Sequence, residues 1–289
     1  MINEVAEGVF AETDMRGCNP GFVVTSEGVV VIDTPQLPAS AVKMRREAEK
    51  HGAIKYLINT EHHVDHIFGN FFFRDAGTVI SHAEVFNEFM VVYPEINPYQ
   101  YAKEAVPTDD PDDEALFPDA ETYFANMNKP TITFKGDTTL RMGDTTFELL
   151  CTPGHTPGQI AVHIPEKRTL FTADTIFNGV QTWHYASNIE QWIESLNRLK
   201  TLDVDTIVPG HGPVCDKTKI DVQISFLYEW LYAVSACVSK GMSEEECIKH
   251  IDFRERFPVD IGQEYMLDHV IENNVHALYR KMKNCGEAG

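Results

Sequence analysis

The sequence predicts an α/β fold over residues 1–215 and a helical extension over residues 216–289. Short β-rich runs alternate with helical patterns through the first part. Four clusters of His and Asp each follow a predicted strand directly, and from Asp216 onward only helical periodicity remains. With 289 residues, 43% of them hydrophobic, the chain can bury one large core, or one core with an appended subdomain.

Phe22–Thr25 and Val29–Asp33 read as strands joined by Ser26-Glu27-Gly28, a hairpin signal. Ala39–His51 carries its charges on one side and reads as a helix. Ile54–Thr60 is a strong strand running into a His/Asp-rich loop, and Ile67–Arg74 is expected to begin the next helix. An insertion at about residues 86–129 is expected to be irregular. Within it, Asp109–Glu114 (DDPDDE) reads as a solvated loop, because the glycine and terminal Glu of a calcium-binding EF-hand are missing. Phe86, Phe89, Tyr93, Tyr99 and Tyr101 are candidates to line a substrate pocket or to fill a core.

Phe134–Leu150 holds two strands around Gly143-Asp144, extending to Cys151 and Thr152. Gln159–Ile164, Thr169–Ala173 and Thr206–Val208 are three more. Asn188–Leu202 is a helix with Asn188 as cap and Gln191 at the capping-box position. In the tail, Ile220, Ile224, Leu227, Leu231, Val234 and Val238 form an apolar stripe. Ser243 and Glu246 make a capping box, and Gln263–Met282 forms the last helix. Phe226, Tyr228, Trp230 and Tyr232 lie partly off the stripe, which points to a second buried face. Contact with another copy of the chain, a homo-oligomer, is expected there.

Composition removes several functions. A formal charge of −20 repels phosphate backbones and acidic membrane surfaces, so no nucleic-acid or membrane partner is expected. No window approaches the ~18 apolar residues of a membrane span. The N-terminus lacks the basic and apolar regions of a secretory signal, so a cytoplasmic location is expected. Six cysteines without CxxC spacing suit reduced thiols. The absence of GxSxG leaves a serine hydrolase without support.

The chemistry concentrates in four places: Thr60-Glu61-His62-His63-Val64-Asp65-His66, the turn around His155, the segment around Asp174, and the turn around His211. Ligands at the same ends of neighbouring strands converge in space. The Gly and Pro beside them fix tight turns. Imidazole with carboxylate suits zinc, iron or manganese.

This ordered set resembles the metallo-β-lactamase superfamily, whose signature is H-x-H-x-D-H followed by a separate His, Asp and His. The likeness runs from about Asn19 to Cys215, with Asp33-Thr34-Pro35, TPGHTPG, LFTADTIF and PGHGPV as matching flanks. The resemblance implies a four-layer αβ/βα sandwich with two divalent metal ions, zinc in the first instance, at one sheet edge. It implies His63 and His155 on one ion, Asp65, His66 and His211 on the other, and Asp174 bridging.

Glu61 departs from that pattern, standing where the first His belongs. Either Glu61 is an oxygen ligand, or His62 reaches in, or only the second site fills. With Glu61 as ligand, two divalent ions, three carboxylates and a hydroxide sum to zero charge; a His there would leave +1. That predicts a less electrophilic site, more tolerant of iron or manganese.

The expected activity is hydrolysis of a small organic molecule at an ester, thioester, lactone, amide or activated aryl carbon. Metal-activated water would be the nucleophile, and Asp65 would orient it. His184 and Tyr185 are further catalytic candidates on a loop after Asp174. A di-iron redox protein reducing oxygen or nitric oxide, and a binding protein with a vestigial metal site, are the alternatives.

Overall fold

The computed structural model describes residues 1–88, 98–109, 111–185 and 187–287. Among them, strands form two sheets. The first contains β1 (Ile2–Ala6), β2 (Val9–Glu12), β3 (Gly21–Thr25), β4 (Gly28–Ile32), β5 (Ile54–Asn59), β6 (Thr78–His82) and β7 (Ile132–Phe134), side by side in chain order. Pairing is antiparallel from β1 to β4 and parallel from β4 to β7. The second contains β8 (Thr138–Met142), β9 (Thr145–Cys151), β10 (Ile160–Ile164), β11 (Thr169–Phe171) and β12 (Thr206–Val208). Its spatial order is β12-β11-β10-β9-β8. β9 and β11 both run antiparallel to β10, and β12 runs parallel to β11, so β9, β11 and β12 end at one edge.

Alternation along each strand sorts side chains into layers. Val30 and Ile32 of β4 meet Ile160, Val162, Phe171 and Val208 between the sheets. Val29 and Val31 of the same strand face outward onto Ala41, Met44 and Ala48 of helix α1 (Pro38–His51). On the other outer face, Ala161, Leu170 and Ile207 meet Trp192, Leu196, Phe226 and Trp230. The order helix, sheet, sheet, helix is the four-layer αβ/βα sandwich of the metallo-β-lactamase fold. Each fully buried large side chain contributes roughly 1.5–3 kcal/mol relative to exposure.

The helical layer over the second sheet combines Ile189–Leu199 with the tail helices Thr218–Ser239, Glu244–His250 and Leu267–Glu287. Asn188 accepts from Gln191 N (3.2 Å) at the start of the first. Both arms of the Ser243/Glu246 capping box are made. On Thr218–Ser239, Phe226 and Trp230 are buried beside Ile220, Leu227 and Val234, while Ile224 and Leu231 are only half-buried. Tyr228 and Tyr232 stay exposed and stack on each other. No helix among the described residues is long and apolar enough to cross a membrane.

Three local expectations need correction. The helix after β5 starts at Val64 rather than Ile67, and after one turn (α2, Val64–Ile67) it tightens to a 3-10 helix, Phe68–Phe73. Gly69 there lies against Pro35, where a Cβ would come 2.2 Å from the carbonyl oxygen. The segment expected to be irregular carries helices Pro98–Asp109, Pro111–Leu116 and Ala120–Asn126. DDPDDE is therefore not a solvated loop, apart from Asp110, which lies outside the described residues. Pro111 opens a helix, as its fixed φ allows. Asp113 is buried and accepts from Ala39 N, one of the orphan donors at the start of α1.

Candidate metal centre

Every cluster singled out in the sequence lies just past a strand. After β5 the chain stays extended through Glu61 and His63, which alternation sends to the same side. It then turns into α2, which brings Asp65 and His66 round. The turn after β9 brings His155, the one after β11 brings Asp174, and the one after β12 brings His211. Ile160 N donates to Thr60 O across the sheets, 2.9 Å, locking the two edges together.

Three groups of ligand-type atoms occur among the described residues; Cys18, Asp33 and His66 form one on the far side of the His66 ring, and the other two face each other. Of the facing pair, Glu61, His63, His155 and Asp174 form the first, and Asp65, His66 and His211 the second. In the first, Glu61 Oε2 is 2.8 Å from His63 Nδ1, and Asp174 Oδ2 is 3.3 Å from His155 Nε2. In the second, His211 Nε2 is 3.3 Å from Asp65 Oδ2 and 3.4 Å from Asp174 Oδ1. Asp174 Oδ1 is also 3.2 Å from His66 Nε2, so its two oxygens face different groups. Glu61 does the same: its Oε1 lies 3.3 Å from His66 Nε2.

Apart from a 3.2 Å contact between His155 Nε2 and His63 Nδ1, these atoms crowd together with few hydrogen bonds. Both Glu61 oxygens, His66 Nε2 and Asp174 Oδ1 are buried, and none has a hydrogen-bond partner. Orphaned buried polar atoms are costly, and unpaired buried carboxylates more so. Cations placed among them would remove that cost, so the residues fit divalent metal ions.

The opposite ring nitrogens are held from behind. His66 Nδ1 meets Asp33 Oδ2 at 2.9 Å, His155 Nδ1 meets Trp183 O at 3.0 Å, and His211 Nδ1 meets Asp260 Oδ2 at 2.7 Å. With a proton on each Nδ1, each Nε2 points at the centre, where a cation would take its lone pair in place of a second proton. Burial opposes charge on His211, but Asp174, Asp260 and Asp65 overcome it and pull the imidazole well above its usual range. Burial would likewise raise Asp65, yet His66 and His211 hold it at about 2. His155 is pushed down to about 3, chiefly by burial. Asp65 therefore stays ionised, and His155 stays neutral, as a ligand must.

Glycine serves this site by closeness. A Cβ on Gly210 would stand 2.1 Å from Asp174 Oδ1 and 2.6 Å from Ala173 C. Only a hydrogen fits there.

A cavity of about 460 Å³ opens over both groups, lined among others by His62, His63, Asp65, Glu88, Tyr101 and Tyr185. His62 faces this cavity but does not join either group. Tyr185 stacks on Trp183 (5.3 Å between ring centroids), and both line the cavity. His184 points the other way: it is buried between Trp192 and Trp230 and does not line the cavity, so its expected catalytic place needs correction. Successive residues of this loop face opposite sides, and the backbone is pinned by Asn274, which accepts from His184 N (2.8 Å) and donates to Thr182 O (2.7 Å). Tyr99 packs on Phe117 and Tyr123 away from the cavity; Phe89 and Tyr93 lie outside the described residues. Cys18 donates to Asp65 O at 3.0 Å; burial lifts its thiol to about 12, and His66 Nδ1 beside it is already taken by Asp33.

Sequence reasoning missed Asp260 and Gln263, both from the tail; Gln263 lines the cavity. No periodicity marks a lone Asp in a loop 49 residues after its partner. Asp33 sat in plain view in the DTP flank, and its position at the end of β4 was the usable signal.

Residues 13–211 match the family model described as metallo-beta-lactamase superfamily. Among characterised relatives, the chain is 27% identical over 214 residues to the 2,4-dinitroanisole O-demethylase subunit alpha of Nocardioides sp. (strain JS1661), covering 72% of this chain and 54% of that one. It is 25% identical over 193 residues to the hydroxyacylglutathione hydrolase of Thermosynechococcus vestitus, covering 64% and 63%. The chain thus spans less than two thirds of either relative's length. A metallo-beta-lactamase family protein from Thermus thermophilus has the same fold, with TM-score 0.67 at 16% identity over 97% of this chain and 95% of that one.

Proposed function

We propose that this chain, which belongs to the metallo-β-lactamase superfamily, is a metallo-hydrolase that acts on a small organic molecule at an ester, thioester, lactone, amide or activated aryl carbon. The observation that carries this reading is the set of buried, partnerless Glu61, His66 and Asp174 atoms beneath the cavity. In this reading Glu61, His63, His155 and Asp174 hold one divalent ion, and Asp65, His66, His211 and Asp174 a second. When bound, such ions supply Lewis acidity and bring the pKa of a water to about 7.

The chain's own residues do the rest. Asp65, ionised and next to His211, accepts a hydrogen bond from the attacking water and orients it. Burial pushes the Tyr185 phenol up, so its hydroxyl stays protonated at the cavity wall and donates to the developing oxyanion. Trp183 and Tyr185 offer a flat apolar surface to the substrate. One relative is named for hydrolysing a hydroxyacylglutathione and another for O-demethylating 2,4-dinitroanisole, which supports both an acyl and an activated aryl substrate.

The test is a screen of aryl esters, thioesters, lactones, lactams and nitroaryl ethers with protein loaded with zinc, iron(II) or manganese(II). Turnover that disappears on chelation and in Asp174→Ala supports the reading. Turnover that survives both, or none on any of the five classes, contradicts it.

A further inference from the structure

Glu61 differs from a histidine in more than charge. An imidazole in this position could offer one nitrogen to one ion. The Glu61 carboxylate offers two oxygens, and they face different groups: Oε2 is 2.8 Å from His63 Nδ1, and Oε1 is 3.3 Å from His66 Nε2. Neither oxygen has a hydrogen-bond partner, and the side chain is completely buried. Asp174 divides its oxygens in the same way, Oδ2 toward His155 and Oδ1 toward His66 and His211.

We propose that Glu61 is a second bridging carboxylate, and that the centre is built for a pair of iron(II) or manganese(II) ions rather than for zinc. This rests on the metal-dependent reading above but not on any substrate.

The donor count leads there. The first group then offers two nitrogens (His63, His155) and two oxygens (Glu61, Asp174). The second offers two nitrogens (His66, His211) and three oxygens (Asp65, Asp174, Glu61). With a water or substrate added, the sites reach five and six ligands. Zinc favours four, tetrahedral, and nitrogen or sulfur donors. Iron(II) and manganese(II) favour more ligands and accept carboxylate oxygen readily. Two shared carboxylates also tie the groups together: the first ion to bind fixes Glu61 and Asp174 for the second, so the pair should fill together.

The test uses the full chain stripped of metal and titrated with manganese(II) or zinc alone, for the wild type, Glu61→His and Glu61→Gln. Circular dichroism and melting establish that each variant is folded. Wild type is expected to bind two manganese(II) ions in a single transition, with the electron paramagnetic resonance spectrum of an exchange-coupled pair. In Glu61→His the second manganese(II) ion is expected to bind at least ~10-fold more weakly, and the zinc-to-manganese affinity ratio to rise by ~10-fold or more, the usual scale for a lost metal-supporting group. Glu61→Gln, which keeps the shape but loses the charge and one oxygen, is expected to weaken the second ion similarly. The proposal is overturned if both variants bind the second ion as the wild type does, or if the metal ratio of Glu61→His is unchanged. None of these readouts requires turnover, so a failed substrate screen leaves them intact.

Discussion

Replacing Asp260 with alanine removes the carboxylate behind His211 without touching any atom that faces the cations. Its Oδ2 is 2.7 Å from His211 Nδ1, and both residues are buried. A hydrogen bond to a charged group contributes about 1.5–3 kcal/mol. Loss of a carboxylate behind a metal-ligating imidazole typically lowers metal affinity ~10–100-fold, about 1.4–2.7 kcal/mol. The two routes agree, so Asp260→Ala is expected to weaken binding at the Asp65/His66/His211 group by that factor. Asp260→Asn keeps an acceptor for Nδ1–H but not its charge. Charge-assisted bonds are roughly twice as strong as neutral ones, so about half the free energy, roughly 3–10-fold in affinity, should be lost. Titration of metal-free protein against a chromophoric chelator reads both values. An Asp260→Ala protein that folds normally and binds metal as tightly as wild type would refute the reasoning.

Gly210→Ala would press a methyl within 2.1 Å of Asp174 Oδ1 and displace the carboxylate shared by both groups. Elemental analysis should find metal lost from both, at a stability cost of only ~1–3 kcal/mol; retained metal contradicts this. Burial holds His184 at about 3 against 6.5 for the free side chain, so as pH falls the unfolded chain takes the proton first. Wild type therefore loses ~1.4 kcal/mol of stability per pH unit between about 6.5 and 3 through this group. In urea unfolding of metal-free protein, His184→Leu should gain on wild type by that slope, and a pH-independent gap would rule it out. With the metal centre neutral, Glu88 is the carboxylate left on the cavity wall, beside Tyr101, Trp183 and Tyr185, and no Lys or Arg lines the cavity among the described residues. Phenyl acetate should therefore have a kcat/KM ~10-fold or more above 4-acetoxybenzoate, one like-charge repulsion of a few kcal/mol at most; the reverse order contradicts it.

The sandwich and the converging groups were legible because both depend on local pattern. Alternation in Val29–Ile32 assigns two layers at once, and each ligand cluster follows a strand end marked by Gly or Pro. What depends on distant partners was not. Asp260 acts through the fold, and nothing near it in sequence announces His211. His184 and Tyr185 look equally suited to chemistry, yet Asn274 from the tail fixes the loop so that one faces the core and the other the cavity. The helices within 98–126 carried usable local signals, Pro111 at a first turn and Asp119 accepting from Thr122 N at 2.8 Å, but acidity and aromatics masked them.

The most direct measurement is anomalous X-ray diffraction from crystals of the metal-reconstituted protein, collected on both sides of the absorption edge of the added metal. Two peaks are predicted, one among Glu61, His63 and His155 and one among Asp65, His66 and His211, with Asp174 between them. Ordered side chains with no peak among them, or a peak bound elsewhere, would contradict the account.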